Sequence, residues 1–255
     1  MKTMPERKPV TDKAVVVEGL TRKFGEFVAV DHIDLSVDYG EIFGFLGANG
    51  AGKTTAIRML CGLLLPTTGT GRVAGYDIMT EPESIKQSIG YMSQKFSLYP
   101  DLTGLENLNF YGMVYGLGGG DLRKRIEDLT ERLGLGDFIK RLTGSLPVGW
   151  RQRIALAAAI LHDPKIVFLD EPTGGVDPVF RRRFWDILYD LAEQGTTLFV
   201  TTHYMDEAEF CRRISIMHRG AIVEVGPPHE LVVKYGEPNL EETFISLISE
   251  KETNA

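Results

Sequence analysis

The chain has 255 residues, enough for one large domain or two small ones, and 43% of them are hydrophobic, enough for a sizeable core. An acidic surplus, 35 Asp and Glu against 28 Lys and Arg, gives a net charge of −7 and argues against a nucleic-acid partner. The two cysteines, Cys61 and Cys211, lie far apart without C-x-x-C spacing, so neither a disulfide framework nor a zinc site is expected, and both read as small core residues in a reducing compartment.

Residues 1–13 read as a polar, disordered tail, since Met1 to Asp12 lack the apolar centre of a secretory leader. Residues 14–40 read as short strands: Ala14-Val15-Val16-Val17 is β-branched, and Ile33-Asp34-Leu35-Ser36-Val37 alternates as a half-buried strand does. Glu41 to Leu46 reads as a buried strand and Thr54 to about Leu63 as a helix, ended near Pro66. Thr67 to Gly75 reads as a short, turn-rich connection, and Ile89-Gly90-Tyr91-Met92 as the next strand. From Leu105 to about Arg141 the pattern is helical, with Leu105, Leu108, Tyr111 and Tyr115 three to four apart. Gly118-Gly119-Gly120 divides this stretch into two helices, and Asp121 stands where it would cap the second. A further apolar helix covers Ile154 to Leu161.

Lys165-Ile166-Val167-Phe168-Leu169 and Thr196-Thr197-Leu198-Phe199-Val200 are near-continuous apolar runs of the kind found in buried parallel strands. The helix expected between them, from about Pro178 to Glu193, makes a βαβ unit; its Arg181-Arg182-Arg183 run points in several directions and reads as a solvated face. Ile214 to Met217 and Ala221 to Val225 form a hairpin around Arg219-Gly220, and an amphipathic helix starts at Leu240. No run approaches the roughly 18 apolar residues of a membrane-spanning helix, so any membrane role would come through a partner.

Between the strand ending at Leu46 and the helix after it lies Gly47-Ala48-Asn49-Gly50-Ala51-Gly52-Lys53-Thr54, a complete G-x-x-x-x-G-K-[ST] loop followed by Thr55. Glycines let the backbone approach a ligand closely, and successive N–H groups at a helix N-terminus favour phosphate. Lys53 would sit on the β- and γ-phosphates of a nucleotide, and the Thr54 hydroxyl on Mg²⁺. Asp170 and Glu171 end another buried strand, at the edge where ligands bind in open α/β sheets. Asp170 would hold Mg²⁺, and Glu171 would polarise the attacking water.

With these motifs in this order the chain resembles the ATP-binding cassette subunits of ABC transporters, from about Ala14 to Leu247. The resemblance implies a P-loop NTPase (RecA-like) α/β core with an antiparallel β subdomain and an inserted α-helical subdomain at about residues 96–162. The cassette would occupy residues 14–235, followed by a C-terminal helix and tail at 236–255. It implies ATP and Mg²⁺ as ligands, ATP hydrolysis coupled to transport, transmembrane permease subunits and a second cassette as partners, and a cytoplasmic, peripheral location on the inner face of the cell membrane. Phe24 matches the aromatic that stacks on adenine, and Gln94 the glutamine that reaches Mg²⁺ and senses the transmembrane partner. Asp177, in Gly174-Gly175-Val176-Asp177, matches the loop that crosses to the opposite subunit, and His203 the switch histidine on the γ-phosphate. Each alone has a plainer reading, as a core aromatic, a surface amide or a structural histidine; their joint order carries the assignment. His32, His162, His218 and His229 lack motif support and read as structural. The stretch from Tyr99 to Leu108 and the closing Leu240-Glu241-Glu242-Thr243-Phe244 are similar to exporter-type cassettes of the ABC-2 class.

One stretch departs from the family pattern. The signature L-S-G-G aligns with Leu146-Pro147-Val148-Gly149-Trp150, so Pro147 replaces the serine and Val148 the first glycine. In this family the signature closes over the partner's ATP, and proline removes both a hydroxyl and an N–H. The amides of Val148, Gly149 and Trp150 remain as expected donors at the helix start. Either the chain works in an asymmetric pair, its own ATP under a partner's normal signature, or it forms a homodimer with two slower sites. A regulatory cassette with degenerate chemistry and a soluble ABC ATPase of translation or DNA maintenance are the alternatives outside that scheme.

Overall fold

The computed structural model describes residues 13–94 and 98–253; the expected tail lies outside them except for Lys13, which already belongs to the first strand. That strand, β1 (Lys13–Phe24), pairs antiparallel with β2 (Phe27–Asp38). Both run longer than the patterning suggests, because irregularities between Val17 and Leu20 and between Leu20 and Arg22 shift the register without ending the pair. The buried strand β3 (Ile42–Leu46) leads through the glycine-rich loop into α1 (Lys53–Leu60). This helix stops short of the expected Leu63: Gly62 turns left-handed at φ +69°, and the N–H groups of Leu63 and Leu64 fold back onto the Arg58 carbonyl.

The stretch expected as a turn-rich connection is instead mostly a strand, β4 (Thr68–Val73), antiparallel to β1. Its glycines, poor strand formers in general, permit the pairing here. A Cβ on Gly69 would lie 2.5 Å from the Gly19 carbonyl oxygen, and one on Gly71 2.5 Å from Val17 Cγ1. Next come β5 (Tyr76–Asp77), α2 (Pro82–Ser88) and β6 (Ile89–Met92). Two helices follow, α3 (Gly104–Val114) and α4 (Gly119–Arg132). Asp121 does not cap α4: Gly118 is the cap residue, and Asp121 sits in the first turn, where its charge faces the helix's positive end. After two short 3₁₀ turns come α5 (Val148–Ile160), β7 (Ile166–Asp170), α6 (Pro178–Glu193) and β8 (Thr197–Thr202). The chain ends with α7 (Met205–Ala208), the hairpin β9 (Arg213–His218) and β10 (Ala221–Gly226), then α8 (Pro228–Tyr235) and α9 (Leu240–Thr253).

Among the described residues the strands form two sheets, β2-β1-β4-β5 and β10-β9-β3-β8-β7-β6. In the second, β9, β3, β8, β7 and β6 run parallel and only β10 is reversed. Its central strands are buried on both faces. Phe43, Phe45, Phe168 and Phe199 fill one face, with ring centroids 4.9–6.0 Å apart, against α1 and the antiparallel sheet. Ile42, Leu46, Val167, Leu169, Leu198 and Val200 fill the other, against the helices from α3 to α6 and α9. The parallel register also fixes the working edge. Leu46 lies level with Thr202, Asp170 with Thr201, and Met92 with Leu169. The residues just beyond, Gly47, Glu171, His203 and Gln94, therefore emerge side by side.

Candidate active site

The loop from Gly47 to Thr54 is shaped by contacts a larger residue would destroy. A Cβ on Gly47 would lie 2.5 Å from the Met217 carbonyl oxygen, and one on Gly52, which turns at φ +105°, 2.5 Å from the Ala29 carbonyl oxygen. The Ala51 carbonyl accepts from Gly220 N–H at 2.9 Å, and Asp31 N–H donates to the Gly220 carbonyl at 2.8 Å, so the loop is fastened to the β9–β10 turn and to β2. Ala48, Asn49 and Gly50 form the exposed crest, with Thr54 and Thr55 half-buried behind it. Gly52 caps α1 without a side chain, and the first turn carries no acid, which leaves the positive helix end to an anion.

Lys53 is buried, 4% exposed, and its Nζ donates to the carbonyls of Gly47 at 2.7 Å and Ala48 at 3.1 Å. Burial lowers its pKa, while the Glu171 carboxylate, 3.6 Å away, raises it. Asp170, the last residue of β7, accepts from the Thr201 hydroxyl at 2.7 Å and from the Thr54 hydroxyl at 3.2 Å. Burial pushes its carboxyl pKa up, and the two hydroxyls pull it back. The neutral form is thus favoured by folding; that contribution is complete below the usual carboxylate pKa and is lost as pH rises through the raised one. Asp170→Asn should therefore raise the Tm at pH 7 in the absence of divalent cations, and the gain should shrink towards pH 4. A Tm that falls equally at both pH values would contradict this.

Glu171 leaves the strand with left-handed backbone, φ +49°, held by its N–H on the Thr201 hydroxyl at 2.9 Å. Its Oε1 faces Lys53, while its Oε2 accepts from Gln94 Nε2 at 2.8 Å and lies 3.4 Å from His203 Nδ1. Three predicted site residues from three segments thus meet on one carboxylate. Thr54 and Asp170 offer a hydroxyl and a carboxylate side by side, hard oxygen ligands that suit Mg²⁺. Among the described residues no three His, Cys, Asp or Glu side chains converge to hold a metal.

The other predicted residues stand outside this cluster. Phe24, at the end of β1, is 47% exposed, with the Arg22 guanidinium 4.6 Å above its ring. Leu146 is buried and the exposed Pro147 is the cap residue of α5. The amide of Trp150 is not free as expected: it bonds the Pro147 carbonyl at 3.1 Å in a tightened first turn, which leaves the amides of Val148 and Gly149 as the first two of the helix. The Trp150 ring stacks on Phe138 at 3.8 Å, and Gly149 faces the Phe180 ring, which a Cβ would meet at 2.6 Å. Asp177 caps α6 by accepting from Phe180 N–H at 3.0 Å. Gln152 ties α5 to this segment through Nε2 and the Gly174 carbonyl at 3.2 Å.

Sequence reading missed Thr201, which serves both acids, and a second buried carboxylate, Glu207, 1% exposed beneath the segments around Thr173 and Thr202. The run Thr201-Thr202 before His203 was the one available signal, two hydroxyls at the end of a buried strand.

A family model described as ABC transporter matches residues 30–174, and one described as AAA domain, putative AbiEii toxin, Type IV TA system, matches only residues 149–205. The chain is 46% identical over 242 residues to the probable multidrug ABC transporter ATP-binding protein YbhF of Escherichia coli, covering 93% of this chain but 42% of that protein. It is 40% identical to the daunorubicin/doxorubicin resistance ATP-binding protein DrrA of Streptomyces peucetius, covering 92% of this chain and 70% of that one. A solved ATP-binding subunit of an ABC transporter superposes with a TM-score of 0.82 at 26% identity, over 92% of this chain and 99% of that one. A dimeric cassette, MJ0796, in a post-hydrolysis state bound to ADP and Pi, superposes with a TM-score of 0.77 at 28% identity, over 84% of this chain and 98% of that one.

Proposed function

The chain belongs to the ABC transporter family, and from that premise we propose that it binds and hydrolyses ATP to drive a membrane exporter. The observation that carries this reading is the meeting of Lys53, Gln94 and His203 on Glu171, beside the Thr54–Asp170 pair. Lys53 and the loop amides bind the phosphates, and Phe24 stacks on adenine. Glu171 holds the attacking water and takes its proton, Gln94 orients that carboxylate, and His203 holds the γ-phosphate. Mg²⁺, held by Thr54 and Asp170 with the Gln94 amide in reach, would neutralise charge on the phosphates.

Among the described residues no helix is long and apolar enough to cross a membrane. The transporter relatives support transmembrane permease subunits as partners and a peripheral location on the inner face of the membrane. A second cassette supplies the signature to this chain's ATP. Multidrug and daunorubicin/doxorubicin resistance relatives favour export as the direction. The test is copurification of tagged Glu171→Gln protein from detergent-solubilised native membranes with Mg-ATP, read by mass spectrometry. A polytopic membrane protein is expected; ribosomal or other soluble partners alone would overturn the transporter reading.

Pro147 favours a pair of unlike cassettes, with the weaker loop over the partner's nucleotide. Restoring the hydroxyl and amide with Pro147→Ser should tighten ATP-driven self-association by about 10²-fold or more, since a pair of like copies regains at least one hydrogen bond to a charged acceptor at each of its two signatures. Sedimentation in a Glu171→Gln background measures this. Unchanged association would mean that Pro147 carries no penalty.

A further inference from the structure

We propose that Glu207 is a positioning residue that clamps the segment after Asp170 to the segment carrying His203, fixing the separation of Glu171 and His203. The kinetic consequence rests on the ATP-hydrolysis reading above, whereas the clamp itself rests on geometry alone.

Glu207 lies in the four-residue helix α7, and each of its oxygens holds a different segment. Oε1 accepts from the Thr173 hydroxyl, two residues beyond Glu171. Oε2 accepts from the Thr202 hydroxyl at 2.7 Å, immediately before His203. Arg181 of α6 closes the arrangement. Its Nε lies 3.3 Å from Glu207 Oε1, its Nη1 bonds Asp206 at 3.2 Å, and its guanidinium covers the Tyr204 ring at 4.2 Å. The Tyr204 ring rests 4.2 Å from that of His203, and Tyr204 N–H donates to the Thr202 hydroxyl at 3.0 Å. Contacts therefore run from Glu171 through His203, Tyr204, Arg181 and Glu207 to Thr173, and the chain returns to Glu171.

A buried carboxylate is an expensive way to fill space. An apolar side chain of similar volume would pack there at less cost, as Ala208 does next door, fully buried. What an apolar residue cannot do is hold two hydroxyls from two segments at set distances. The chemistry needs that, because displacing a reacting group by roughly 1 Å costs on the order of 10²-fold in rate.

Glu207→Gln tests the clamp. Its amide nitrogen cannot accept from a threonine hydroxyl, so one of the two hydroxyls must give up donating to residue 207 and turn to accept, and the charge opposite Arg181 is gone. In the full chain kcat should fall about tenfold, with the KM for ATP changed less than about twofold. Hydrogen exchange should quicken together at the amides of residues 173–177 and 203–206, while the amides of β7 and β8 keep their protection. Thr202→Val should reproduce both effects and Thr202→Ser should not, which carries the test even where the Glu207 variant folds poorly. An active wild type with kcat unchanged in Glu207→Gln, or exchange that quickens in neither or only one segment, would overturn the proposal. A wild type that does not hydrolyse ATP would overturn the functional reading instead, and the exchange data would still decide the clamp.

Discussion

Glu171→Gln should bind nucleotide as the wild type does while turnover falls about 10²- to 10⁴-fold, the range that a general base contributes. The two side chains have the same shape, and the amide oxygen can still face Lys53 while the amide nitrogen needs Gln94 to turn and present its oxygen, but an amide cannot take a proton from water. The left-handed backbone at this residue is the same for either side chain and does not move the Tm, whereas the buried Lys53 ammonium loses the carboxylate 3.6 Å away, so the Tm should fall. Steady-state hydrolysis and calorimetric nucleotide binding on the same preparation measure the two halves. Turnover near that of the wild type would remove Glu171 from the mechanism and leave the cluster around it without a purpose.

Lys53→Met should lose both functions at once: nucleotide affinity by about ten- to a hundredfold, and turnover by at least as much. The methylene stem is buried and the ammonium is already held by the carbonyls of Gly47 and Ala48, so the charge stands where phosphate arrives. Lys53→Arg should not rescue either function, because a planar fork cannot enter a loop shaped around a point charge. Binding of a fluorescent nucleotide analogue with a parallel hydrolysis assay measures this. A Met variant that binds within threefold of the wild type would show that the loop amides alone hold the phosphates.

The reacting groups were legible in the sequence because the chemistry ties residue type to spacing. Gly47 to Thr54 needs glycine, lysine and hydroxyl in one order, and Asp170-Glu171 needs a buried strand before it. The helix Pro178–Glu193 was legible as the link between two apolar strands, although its opening Asp-Pro, which places a cap and an N1 proline together, went unread. Other signals were present and went unread: Thr103 and Glu106 form the capping box that starts α3 at Gly104, and prolines open α2 and α8. β4 was hidden because its glycines look like turn residues until β1 is laid against them. Glu207 was hidden for a deeper reason. In Met205-Asp206-Glu207-Ala208 it reads as a surface acid, and only folding brings Thr173 and Arg181 to it from far upstream and turns the nearby Thr202 hydroxyl onto it.

The fastening of the nucleotide loop to the turn at Arg219-Gly220 bears on how the chain can drift through its history. That turn carries no motif and lies far downstream, yet its backbone supplies both ends of the tie that joins the loop to β2. Gly220 turns at φ +85°, and a Cβ there would lie 3.1 Å from the Ala29 carbonyl oxygen, so the main-chain path asks for glycine at that position, and a single inserted residue would pull the loop out of shape. Intolerance to a change in length and intolerance to replacing this one glycine should therefore coincide there, far from any residue that touches nucleotide.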